Sequence, residues 1–302
     1  ALLSFLAIIL FSIGFGYAYL HNLLDLTEKE SISDTDSDLG IKEGADNGVN
    51  EYFFEEVKGI TNVALFGIDA EQGQRGRSDS IMIVTVDRNS KKIKLSSIIR
   101  DSYVNIPERG LDKINHAYAF GGPQLALRTL NSNFNLNIKD YATVNFTTMP
   151  KIIDTIGGIE ITITNAESTK MPGVSGAGTY NLSGNQALAY SRIRKIDSDF
   201  NRAERQRNVI EAIINKLLTR PVTSYPSILS EILPLVTTNM SSTEIMGIGT
   251  SVITNGITTI EQNRFPEDDY GEGQMINGIY YYVFDREQAV KRIGKYIYLD
   301  EK

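Results

Sequence analysis

Arginine and aspartate carry most of the chemistry in this sequence. Arg192 and Arg194 stand two apart, so extended backbone would turn both guanidinium groups to one face as a clamp for an anion. A helical pattern begins near Asn201, and its first turns set Arg202, Arg205 and Gln206 on the side that faces the core. A buried guanidinium is costly unless it meets a fixed anion, and a helix N-terminus attracts phosphate through its dipole and free N–H groups. The blander alternative sets Arg202 and Arg205 at the edge of the fold, bonded to carboxylates such as Asp197 and Asp199. Asp69 and Asp79 flank a polar loop with hard oxygen ligands, a pair that suits Mg2+ or Mn2+ completed by phosphate oxygens, although aspartate after a strand is more often a cap or turn former. With Arg77 and Arg100 added, the set suits a doubly phosphorylated group, because guanidinium forks match phosphate oxygens in bidentate fashion.

These side chains need rigid elements to bring them together. NVALFGID (62–69) and IMIVTVD (81–87) are short apolar runs that predict buried strands, and KKIKLSSIIRD (91–101) follows across a polar turn as the return strand of a hairpin. Asp69, Asp79, Arg100 and Asp101 then fall at or just beyond strand ends, where ligands gather in open α/β sheets. Pro123 predicts the start of a helix through QLALRTLNSNF, YATVNF (141–146) a strand, MPKIIDTI a short helix, and IEITI another strand. Residues 166–179 and 267–278 are Gly-rich and predict loops. Val209, Ile210, Ile213, Ile214, Leu217 and Leu218 form the clearest apolar stripe in the chain, and Ala289, Val290, Ile293 and Ile297 mark a last helix. Interleaved strands and helices predict a layered α/β domain with a mixed sheet. His116 is the sole histidine candidate for a base outside the first residues, and its place at a helix entry favours a structural role.

Composition excludes several classes. The 302 residues contain no cysteine and two histidines, which rules out disulfides, thiolate metal sites, cysteine nucleophiles and multi-histidine zinc. A net charge of −7 argues against a general nucleic-acid binder. GxSxG, Walker and HExxH motifs are absent. Residues 1–20 are uncharged and apolar over about the length that crosses a bilayer, which predicts one N-terminal transmembrane helix. Residues 21–57 are strongly acidic, and 31–50 lack apolar periodicity, so they predict an extended, solvated linker on the extracytoplasmic side. The catalytic domain is expected over 58–302.

Six segments together resemble the LytR-CpsA-Psr family of membrane-anchored cell-wall glycopolymer ligases: FGID (66–69), GRSDSIMI (76–83), SIIRDSYVNIP (97–107), KINHAYAFGG (113–122), IIDTIGGIEI (152–161) and LSGNQALAYSRIRKIDSDFNRAERQRNVI (182–210). The resemblance implies an α/β/α domain on a single span, facing outward from the cell membrane of a Gram-positive-type envelope, with an apolar pocket for a polyprenyl tail. It implies an Mg-dependent phosphotransferase that moves a glycan with its proximal phosphate from undecaprenyl pyrophosphate to the C6 hydroxyl of N-acetylmuramic acid in peptidoglycan. By motif position, Asp69 and Asp79 would hold Mg2+ or Mn2+. Arg77, Arg100, Arg192, Arg194 and Arg202 would grip the pyrophosphate, with Lys113, Asp199, Arg205 and Gln206 near it. Asp199 or Asp101 would accept the hydroxyl proton. Ile99 stands where the family commonly has proline, and Ala70 and Glu71 where an arginine often follows the first aspartate. Two alternatives use the same residues, a lipid-pyrophosphate-binding regulator of envelope biogenesis and a pyrophosphatase with water as acceptor.

Overall fold

The computed structural model describes residues 28–41, 58–70, 76–145, 147–193, 199–221 and 224–301. The strands in chain order are β1 (Glu28–Lys29), β2 (Ile60–Ile68), β3 (Ser78–Asp87), β4 (Lys92–Ile98), β5 (Tyr103–Ile106), β6 (Gly110–Lys113), β7 (Asp140–Asn145), β8 (Ile159–Ile163), β9 (Gly178–Leu182), β10 (Val236–Thr238), β11 (Thr259–Phe265), β12 (Gly271–Ile276) and β13 (Ile279–Phe284). The helices are α1 (His116–Phe134), α2 (Met149–Thr155), α3 (Asn165–Ser168), α4 (Gly184–Ser191), α5 (Asp199–Leu218), α6 (Tyr225–Ile232), α7 (Ser242–Thr254) and α8 (Arg286–Gly294).

Seven strands form the main sheet in the order β1-β10-β7-β2-β3-β4-β11. It is mixed: β3 runs antiparallel to β2 and β4 on either side, while β7 joins β2 and β11 joins β4 in parallel. Apolar residues fill both faces of β3, which is why it reads as a continuous run rather than an alternation. Ile81 and Ile83 pack on one side with Leu127, Leu130 and Phe134 of α1 and Ala289 and Ile293 of α8. Met82 and Val86 pack on the other with Ile210 and Ile214 of α5 and Ile248 and Val252 of α7. This is the expected α/β/α layering. A satellite core forms where β8 and β9 meet α4 and α5, through Ile161, Leu182, Tyr190 and Val209. The stripe on α5 therefore serves two cores, with Ile210 and Ile214 toward the sheet and Val209, Ile213 and Leu217 toward the satellite.

Four expectations change. Residues 28–41 belong to the fold rather than to the linker: β1 pairs with β10, and Leu39 and Ile41 are buried in the main core. Two apolar residues in an acidic run give no periodicity, so tertiary contacts alone recruit them. The 267–278 stretch is half of a hairpin, β12 with β13. The rings of Tyr282 and Tyr280 lie where a Cβ on Gly271 or Gly273 would be, so flat aromatic faces cover backbone that glycine leaves bare. The 166–179 stretch contains part of α3 and the start of β9. Arg192 is not on extended backbone, since it caps the C-terminal end of α4 (φ −100°, ψ 0°), a helix opened by the Ser183–Gln186 capping box. Residues 1–20, predicted to span a membrane, lie outside the described residues, as do 42–57. Among the described residues no helix is long and apolar enough to cross a bilayer.

Candidate active site

One edge of the main sheet collects the predicted residues, and strand pairing explains how. Ile68 at the end of β2 stands opposite Ser78 at the start of β3, so Asp69 and Asp79 emerge side by side. The Arg77 carbonyl ties them, accepting from the Asp69 and Asp79 N–H groups at 3.3 and 3.1 Å. Ile81 pairs with Ile98, so the chain leaving β4 brings Arg100 and Asp101 to the same edge. Segment 113–115 closes the group from the side. The Ile114 N–H donates to Ser102, that of Asn115 to Arg100, and that of Ser78 to Asn115, all through backbone carbonyls.

Side chains of opposite charge pair in two groups, Arg192 with Asp69, and Asp79 with Arg100, Asp101 and Lys113. Arg192 Nη2 donates to Asp69 Oδ1 at 3.0 Å, and Arg100 Nη1 to Asp79 Oδ1 at 3.0 Å. Asp101 holds Lys113 Nζ at 2.7 Å with one oxygen and faces Arg100 Nε at 3.4 Å with the other. Asn115 Nδ2 reaches Asp79 at 3.4 Å, and its buried Oδ1 accepts no hydrogen bond. A cavity of about 30 Å3 lies among Asp79, Arg100, Asp101, Arg202 and Gln206, so α5 delivers its first turns to the strand ends. Arg202 is buried there, whereas Arg77 and Arg192 are open to solvent.

Arg205 goes elsewhere. Its Nε donates to Glu167 Oε1 at 2.7 Å and its Nη1 to the Ile193 carbonyl at 3.5 Å, with the side chain 4 % exposed. Burial raises the Glu167 carboxyl, but hydrogen bonds from Thr164 and Arg205 outweigh it and hold the group below its usual range. A carboxylate of the protein, that of Glu167, thus occupies this guanidinium, in line with the bland alternative. Arg194, Asp197 and the Asp199 side chain lie outside the described residues. The part played by Asn115 escaped sequence reasoning, because nothing in KINHAYA distinguishes an asparagine that turns toward an aspartate 36 positions earlier. His116 turns to Asp112 at 2.8 Å and packs edge-on against Phe120, consistent with the structural role.

Arg100, Lys113 and Arg192 pair with Asp79, Asp101 and Asp69, Arg202 lines the same cavity, and Arg77 is exposed between the two strand ends, an excess of positive charge on a chain of net charge −7. Clustered guanidinium and ammonium groups of this kind suit a multiply charged anion. The sequence matches the LytR_cpsA_psr family over residues 23–295. The chain belongs to this family. A relative in Oceanobacillus iheyensis, named polyisoprenyl-teichoic acid–peptidoglycan teichoic acid transferase TagU, is 37 % identical over 82 % of this chain and 78 % of its own. The TagU of Bacillus subtilis strain 168 is 36 % identical over 78 % and 76 %. Among solved family structures, one described as TagT bound to LIIa-WTA superposes with a TM-score of 0.69 at 28 % identity, covering 86 % of this chain and 98 % of that one. Another, a family protein described with bound octaprenyl pyrophosphate lipid, superposes with a TM-score of 0.66 at 25 % identity, covering 88 % and 98 %.

Proposed function

We propose that this protein is a glycopolymer–peptidoglycan phosphotransferase. It takes a glycan with its proximal phosphate from undecaprenyl pyrophosphate and joins it to the C6 hydroxyl of N-acetylmuramic acid. The observation that carries the proposal is the convergence of Arg100, Arg192, Arg202 and Lys113 with Asp69 and Asp79 at one sheet edge, in a chain whose relatives are named teichoic acid transferases. Residues 1–20 anchor the domain in the cell membrane, with the sheet edge on the outer side, where donor and acceptor meet.

The donor diphosphate lies against Arg100, Arg192 and Arg202, displacing or sharing their present carboxylate contacts. The sugar hydroxyl attacks the glycan-side phosphorus in line, a new P–O bond forms, the bridging P–O bond breaks, and undecaprenyl phosphate leaves with the electron pair. The Arg100 guanidinium, held between Asp79 and Asp101, needs little reorganisation as charge develops on the leaving phosphate. Asp199, in the first turn of α5, or Asp101 accepts the hydroxyl proton; the contacts of both Asp101 oxygens with Lys113 and Arg100 support a positioning role for Asp101.

A divalent ion fits the donor set. Asp69 and Asp79 supply two hard oxygens at neighbouring strand ends, and the Asn115 Oδ1 is a buried oxygen without a hydrogen bond beside Asp79. Asp69 and Asp79, with Asn115, would hold Mg2+ or Mn2+, and such an ion would supply counter-charge to the diphosphate. Purified protein with Mg2+, lipid-linked glycan donor and peptidoglycan fragments should yield the ligated phosphodiester, detected by mass spectrometry. Release of free glycan phosphate without ligation would replace this proposal with the pyrophosphatase.

A further inference from the structure

Large apolar side chains are unevenly spread over the surface. Of the seven exposed ones among the described residues, five are Leu111, Phe120, Met275, Ile279 and Tyr280, and the other two are Ile253 and Leu299. All five lie on segments tied to the site. Leu111 is on β6, which ends in Lys113; Phe120 ends the first turn of α1, one turn beyond Asn115; Met275, Ile279 and Tyr280 are on the β12–β13 hairpin. That hairpin is fastened behind the site, where the Tyr282 N–H donates to the Asp101 carbonyl at 2.8 Å and Ser102 bridges to Tyr282. Ile253 and Leu299 belong to the opposite end of the sheet, marked by Arg88 bonding Ser251 and Lys92 bonding Asp300.

The hairpin tip is built to be presented. Asn277 (φ 51°) and Gly278 (φ 81°) make the two-residue turn that suits a twisted hairpin. Met275 pairs across it with Tyr280, and Ile276 with Ile279. Met275 is 66 % exposed, Ile279 49 % and Tyr280 42 %. The eleven residues 274–284, QMINGIYYYVF, contain no charge, in a chain that is 22 % charged. A soluble surface gains nothing from such a tip, whereas a headgroup layer accepts apolar side chains at its acyl boundary and amphipathic tyrosine at its polar level. The lack of charge also removes the repulsion that an acidic surface would meet at anionic lipid.

We infer that the β12–β13 tip dips into the lipid headgroup layer and sets the diphosphate site at the height of membrane-borne substrate. This rests on the proposed lipid-linked donor. The chain has no tryptophan, so a Tyr280→Trp protein carries a single emitter. The full chain is reconstituted in phosphatidylglycerol–phosphatidylethanolamine vesicles without donor, with Ile253→Trp as the comparison. Lipid contact predicts that doxyl-labelled lipid quenches Tyr280→Trp at least about threefold more strongly than Ile253→Trp, while iodide quenches it less. Equal lipid quenching of the two proteins, or quenching of Tyr280→Trp only after peptidoglycan is added, would overturn it. A second arm uses Met275→Gln with Ile279→Gln, which should raise the KM for donor in vesicles about tenfold and leave that in detergent micelles unchanged. Equal KM in both settings would also sink the inference. The fluorescence arm contains no donor, so a hairpin that stays in water while ligation proceeds removes the membrane contact and leaves the transferase standing.

Discussion

Three arginines, Arg100, Arg205 and Arg207, have different partners, and the difference predicts different phenotypes. Arg100 bonds Asp79 at the sheet edge with its side chain 21 % exposed, while Arg205 is buried on Glu167. Arg100→Ala should therefore leave the melting temperature within a few degrees of the parent and lower ligation about 100- to 1000-fold, the usual loss when one fixed donor to a developing anion is removed. Arg205→Ala should instead uncover a buried carboxylate and destabilise by about 3–5 kcal/mol in urea unfolding, because the partner of a buried pair is left without compensation. A stable Arg205→Ala protein with lost ligation would return Arg205 to the substrate. Arg207, the third, bonds Gln262 on β11, and burial pushes its guanidinium below its ordinary pKa. Residue types and spacing announced arginines that seek an anion. They left unsaid which would find that anion within the protein, since Glu167 lies 38 positions from Arg205.

Helix α4 decides where Arg192 sits, and its docking is tight. The Gly184 N–H donates to Asp154 Oδ1 at 2.7 Å, and a Cβ at Gly184 would collide with the Pro150 backbone of α2. Gly184→Ala should force the two helices apart at a cost of about 1–3 kcal/mol and loosen the hold of Arg192 on Asp69, raising the donor KM more than it lowers kcat. A variant with unchanged stability and KM would show that the approach is relaxed elsewhere. Helices with a strong stripe, such as α5, and strands with apolar runs, such as β2 to β4, were legible because a buried helix stripe marks every third and fourth residue and a strand buried on both faces leaves a continuous apolar run. β12 was not. Glycine is poor in strands, and only the rings of Tyr280 and Tyr282 lying on it make the strand worthwhile.

Across the whole molecule, the end of the sheet remote from the site is held by a buried ion network. Lys94 is fully buried, with Nζ 2.8 Å from Asp87, 3.1 Å from Asp300 and 3.0 Å from the Tyr296 carbonyl, so it fastens the C-terminal segment to β4. Burial alone would raise both carboxyls, but hydrogen bonds from Lys94 and Ser90 to Asp87, and from Lys92 and Lys94 to Asp300, hold them below their ordinary range. A depressed folded-state pKa contributes stability that is complete above about pH 4 and lost as pH falls through the lower folded values. Thermal unfolding followed from pH 7 to pH 2 should show that loss, and Lys94→Met should reduce the slope while lowering stability at pH 7 by about 3–5 kcal/mol. A Lys94→Met protein as stable as the parent at pH 7 would show that the network contributes little. By itself the sequence determined the layered α/β class, the central strands and the identity of the charged residues, because burial periodicity and residue chemistry are local properties. The tertiary structure decided that residues 28–41 join the core, that Arg205 turns inward, that Asn115 faces Asp79 and that the β12–β13 hairpin with its uncharged tip is fastened to the site. Each of these depends on contacts between residues far apart in the chain, which no local pattern encodes.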